Sequence, residues 1–166
     1  MMNIYTVCFF GHRYIERGTE IENRLEKLLH DLITQKEYVD FLIGRAGEFD
    51  ILASAAIKRA INKYAYGNTH FTLVLPYMKA EYRDNEKEFL DYYGDVEICY
   101  ESSIAHPKSA IQIRNRSMVD RSDLVVCCVQ HNTGGAYHTL LYAEKQDKQI
   151  INISNEYQLN RTLDLQ

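Results

Sequence analysis

The alternation of short apolar runs with amphipathic stretches of helical length is what most constrains this chain. Residues 4–10, 38–43, 71–75, 96–100, 124–129 and 149–153 are compact apolar segments that read as strands. The run LVVCCV at 124–129 has no polar alternation, as expected of a strand covered on both faces. Between these runs the apolar residues return every third or fourth position. Over 19–36 they are Ile21, Leu25, Leu28, Leu29, Leu32 and Ile33, and Thr19 with Glu22 has capping-box spacing. Phe49, Leu52, Ala53, Ala56, Ile57, Ala60 and Ile61 form a second stripe. Helices are also predicted over 80–93, over 110–121 and from HNTGGAYHT through Gln146. Six strands alternating with five helices predict an α/β, Rossmann-like, doubly wound fold. Its sheet is mostly parallel, of about six strands, with helices on both faces. No internal repeat or linker interrupts the pattern, so residues 1–166 are expected to form a single domain.

Composition narrows the function classes. A formal charge of −4 and a pI near 5.9 argue against a general nucleic-acid binder, so nucleic acid is not an expected partner. No apolar run approaches the roughly 20 residues needed to span a bilayer. The start MMNIYTV lacks a signal peptide's basic flank and long apolar core, and a cytoplasmic location with no membrane partner is expected. Cys8, Cys99, Cys127 and Cys128 form no C-x-x-C pair and read as reduced thiols packed in strands. Cys127 and Cys128 are adjacent on a strand and so face opposite ways.

In a parallel sheet every strand delivers its C-terminal loop to one edge, where ligands bind near the reversal of strand order. Those loops are GHR, GRAGEFD, PYMKAE and QHNTGGAYHT. Gly11, Gly44, Gly47, Gly134 and Gly135, five of the eight glycines, fall in three of them. TGGA, from Thr133 to Ala136, precedes a helix whose unpaired N–H groups and dipole suit a phosphate or carboxylate. There is no G-x-G-x-x-G and no G-K-[ST], so neither a conventional dinucleotide fingerprint nor a P-loop is present.

Arg13 and Arg45 follow strand-ending glycines, and Arg114 lies on the helix feeding the fifth strand. Arg114 and Arg116 diverge by roughly 200° on that helix, so only one can reach the edge. His12 is suited to ligand contact or acid–base work near neutral pH. Histidine spacing gives no metal motif, and no metal or other cofactor is expected. Glu48 and Asp50 have a default role as caps of the second helix. The sharper alternative for either is a contact to a ribose hydroxyl or general-base work.

Taken in order, GHR, GRAGEFD, LVLPY, RNRSMVDRSDLVV and TGGA resemble the SLOG superfamily, above all its small bacterial YpsA-like members, over residues 5 to about 153. The resemblance implies a Rossmann-like fold, a nucleotide or nucleotide-derived ligand and self-association into a homo-oligomer. The superfamily includes the lonely-guy phosphoribohydrolases and the DNA-processing protein DprA. The phosphoribohydrolases carry R-K-x-x-M and P-G-G-x-G-T-x-x-E. Here Arg114 and Met118 keep the first spacing, with Asn115 at the lysine. Gly134, Gly135 and Thr139 follow the second with one extra residue, and Tyr142 stands where the catalytic glutamate would be.

The leading expectation is a nucleotide-binding protein acting as sensor or accessory factor. Its ligand would be held by Gly11, His12, Arg13, Gly44, Arg45, Gly47, Arg114, Thr133, Gly134 and Gly135. The alternative is a nucleoside-monophosphate N-glycosidase, with Glu48 the candidate carboxylate and Asp50 the reserve.

Overall fold

The computed structural model describes residues 1–155, so residues 156–166 of the expected domain lie outside the described residues. The elements run β1 (Ile4–Gly11), α1 (Gly18–Gln35), β2 (Tyr38–Ile43), α2 (Glu48–Tyr64), β3 (Thr69–Leu75), α3 (Ala80–Asp84) and α4 (Glu86–Tyr93). They continue with β4 (Asp95–Ile98), α5 (Tyr100–Ser103), α6 (Pro107–Asp120), β5 (Leu124–Cys128), α7 (Gly134–Lys145) and β6 (Gln149–Asn152). The strands form one sheet of order β4-β3-β2-β1-β5-β6, and every pairing is parallel. This is the doubly wound Rossmann-like α/β architecture expected from the sequence.

Strand pleating explains why the stretch Val7–Phe10 of β1 and the whole of β5 are apolar. Val7, Phe9, Leu124, Val126 and Cys128 enter a core with α1 and α2. Cys8, Phe10, Val125 and Cys127 enter the core on the other face, with Met118 and Val119 of α6 and Ala136 and Ala143 of α7. The α1 stripe from Ile21 to Ile33 is buried along its whole length. Each such leucine contributes about 1.5–3 kcal/mol by leaving water.

Three local features differ from the sequence expectation. The predicted helix over 80–93 is two helices, broken at Asn85, whose Nδ2 donates to the Glu81 carbonyl at 2.9 Å. A single turn, α5, separates β4 from α6, tied by the Ser102 hydroxyl donating to the Pro76 carbonyl. Helix α1 begins at Gly18, after Arg17 in the left-handed region (φ 56°), and has no side-chain cap. With the helix already under way at Thr19, the capping box does not form.

Candidate ligand cleft at the switch point

Successive strands step from β1 out to β4, and the chain then returns to place β5 on the other side of β1. The loops after β1 and β5 therefore part, and a cleft of about 270 Å³ opens between them. Of the sequence-predicted residues, Gly11, His12, Arg13, Asp50, Arg114, Gly134 and Gly135 line it.

His12 extends the β1–β5 ladder by donating its N–H to the Cys128 carbonyl at 3.2 Å, which turns its imidazole into the cleft. The ring stacks on His131, centroids 3.7 Å apart and planes 8° from parallel. The His131 N–H donates to His12 Nε2 at 3.4 Å, which assigns the neutral ring's proton to Nδ1. Burial, and then the neighbouring His131, lower the His12 pKa below 6.5.

Arg114 forms the floor. It is 2% exposed, although α6 as a whole is a polar helix. Its Nη1 donates to the Val74 carbonyl at 2.8 Å and its Nε to Asn115 Oδ1 at 2.9 Å. Among the described residues it forms no ion pair, while burial pulls its pKa down and nearby Asp50 supports the charge. Arg116 takes the opposite side of α6 and stacks over the Tyr142 ring, 5.1 Å from the centroid. A buried cation with no carboxylate in contact is a costly arrangement that an anion relieves.

A polar chain joins this floor to α7. Asn115 Nδ2 donates to Thr139 Oγ1 at 3.3 Å, and Thr139 Oγ1 donates to the Gly135 carbonyl at 3.0 Å. Gln112 Nε2 donates to the same carbonyl at 3.0 Å. The N-cap Thr133 does not cap with its hydroxyl, which instead pairs with His131 Nδ1 at 3.0 Å. The first N–H groups of α7 have no side-chain cap, and Gly134 supplies the turn at φ 89°.

The two candidate carboxylates separate. Asp50 lines the cleft, buried, with Oδ2 accepting from the Ala46 N–H at 2.8 Å. Burial raises its pKa, opposed by Arg114 and by that N–H. Glu48 is not among the lining residues; its Oε2 accepts from the Ile15 N–H at 2.9 Å. Arg45 also points elsewhere, to Tyr93 Oη at 3.2 Å and Glu81 Oε1 at 2.8 Å. Gly44 lies behind the Arg114 guanidinium and Gly47 beneath Arg13, so both touch lining side chains without lining the cleft. Tyr14, Ile111, Gln112 and Asn115 also line it, outside the predicted set. Of these, Asn115 stands beside Arg114 in the RNRSM segment, whereas no sequence signal singled out Tyr14, Ile111 or Gln112.

Among the described residues no three His, Cys, Asp or Glu side chains are grouped to hold a metal, and no helix is long and apolar enough to cross a membrane.

No family model matches the chain, and no curated protein matches it significantly. Solved structures do. The DNA processing protein A (DprA) of Streptococcus pneumoniae superposes with a TM-score of 0.64 at 17% identity over 98% of this chain, which spans 55% of that protein. The DprA of Helicobacter pylori, described with its single-stranded DNA binding mode, gives 0.64 at 17% identity, covering 97% of this chain and 79% of its own. A molybdenum cofactor binding protein of Rippkaea orientalis gives 0.59 at 19% identity, covering 92% and 77%. What these proteins share with this chain is the Rossmann-like fold.

Proposed function

We propose that this chain is a YpsA-like SLOG protein of the cytoplasm that binds a nucleotide or nucleotide-derived anion in the switch-point cleft, as a sensor or accessory factor. One observation carries the reading: the buried Arg114, without a carboxylate in contact, opens onto the same cleft as the uncapped start of α7. A phosphate there would meet a fixed guanidinium and helix N–H groups together. His12 and Arg13 complete the lining on the β1 side. Self-association into a homo-oligomer is part of the proposal and is read by light scattering on the eluting protein.

The test is a thermal-shift panel of nucleoside mono- and diphosphates, ADP-ribose and dinucleotides. A ligand at a hundred times its Kd should add about 2.7 kcal/mol of apparent stability. Because the DprA neighbours weigh against setting nucleic acid aside, a single-stranded oligonucleotide belongs in the panel, as does molybdenum cofactor for the neighbour that binds it. No shift with any of them overturns the reading.

A second reading, N-glycosidase activity on a nucleoside monophosphate, is favoured by Asp50 rather than Glu48. A buried carboxylate on the cleft wall with a raised pKa suits proton transfer or stabilisation of positive charge on the sugar. Release of free base, abolished in Asp50→Asn and retained in Glu48→Gln, supports it; no release from any nucleotide rejects it.

A further inference from the structure

Tyr14 lines the cleft yet is 75% exposed, and among the described residues no hydrogen bond or ring contact engages its side chain. Its backbone, in contrast, is held on both flanks. The Arg13 carbonyl accepts from the Glu48 N–H at 2.8 Å, and the Ile15 N–H donates to Glu48 Oε2 at 2.9 Å. Glu16 and Gln130 exchange two hydrogen bonds: the Glu16 N–H to Gln130 Oε1 at 2.9 Å, and Gln130 Nε2 to the Glu16 carbonyl at 2.8 Å. The loop is thus clamped to α2 on one side and to the loop after β5 on the other. An aromatic ring left in water on a fixed backbone stacks at little cost in ordering.

The cleft is also graded. Its floor holds the cation Arg114, 2% exposed, and its rim holds Tyr14, with half-buried Ile111 adding apolar lining. That order matches an anion whose other end is a flat, weakly polar ring.

We propose that Tyr14 is the stacking platform for a planar heterocycle on the ligand, so that the cleft takes phosphate esters of aromatic bases in preference to inorganic phosphate or simple sugar phosphates. The inference rests on the anion-binding reading above and adds to it which end of the ligand meets which residue.

Titration calorimetry of the full chain with the four ribonucleoside 5′-monophosphates, ribose 5-phosphate and inorganic phosphate tests it. The wild type should bind at least one nucleotide more tightly than ribose 5-phosphate. Tyr14→Ala should weaken that nucleotide about ten- to hundred-fold, the usual scale for loss of a stacked base. It should leave ribose 5-phosphate unchanged, and Tyr14→Phe should retain nucleotide affinity. Equal weakening of nucleotide and ribose 5-phosphate in Tyr14→Ala, or no weakening of either, overturns the stacking role while leaving anion binding intact. If the wild type binds none of the probes, the anion-binding reading fails first and this one with it.

Discussion

Gly44 and Arg114 compete for the same space: a β-carbon on Gly44 would lie 2.6 Å from Arg114 Nη1 and 2.7 Å from its Cζ. The end of β2 therefore helps to set the position of the buried guanidinium. Gly44→Ala should displace Arg114 from the Val74 carbonyl and cost about 1–3 kcal/mol, as overpacking does. Urea unfolding reads the stability loss, and anion affinity should fall with it. A variant as stable as the wild type with unchanged affinity contradicts the placement.

Gly47 is constrained by backbone rather than side chain. Its missing β-carbon would stand 2.5 Å from Arg13 Cα, and Arg13 is held by the Glu48 N–H. Gly47→Ala should destabilise by about 2–3 kcal/mol. Gly18→Ala is the matched control: its nearest neighbour would be Leu52 Cδ1 at 3.5 Å, an ordinary contact, so stability should hold or rise by about 0.4–1 kcal/mol.

His12 sets a pH dependence. Its pKa in the folded chain lies below 6.5, the value expected once unfolding removes burial and the His131 contact. Between the two values the unfolded chain holds more protons, so stability rises with pH across that window. The contribution is complete above about 6.5 and is lost as the pH falls through the folded value. His12→Gln, which keeps an acceptor for the His131 N–H, should flatten this part of the urea-midpoint-versus-pH curve. An unchanged slope would rule out His12 as its source.

The strand thiols should be inert. Burial pushes Cys8 and Cys128 up to about 12 and raises Cys127 as well, and all three are fully buried. Thiolate is the nucleophile, so brief maleimide treatment near neutral pH should leave them unmodified in the native protein and label them in urea. Mass spectrometry of the digested protein resolves each position.

The sheet was legible because periodicity survives translation into packing. The α1 stripe is buried residue for residue, and Cys127 and Cys128 do face opposite cores. The helix expected over 80–93 divides in two because the break lies in the hydrogen bonding of Asn85, which periodicity does not encode. At the cleft, topology alone brings the loops of β1 and β5 together. Which arginine turns inward is another matter. Both Arg45, after a strand-ending glycine, and Arg114, on a helix, are candidates in sequence, yet Arg45 is drawn to Tyr93 and Glu81 while Arg114 is fixed by Val74 and Asn115. Apart from Asn115, those partners come from distant segments, so no local pattern foretells which of the two turns inward. The same holds for Glu48 and Asp50: two residues apart on one helix turn, one braces a loop and the other faces the cleft.

The double clamp on the loop after β1 has a kinetic side. A mouth that is already assembled has no slow closing step to add after encounter. Ligand capture should then appear in stopped flow as a single exponential whose rate climbs linearly with concentration, with residence time alone separating strong ligands from weak ones.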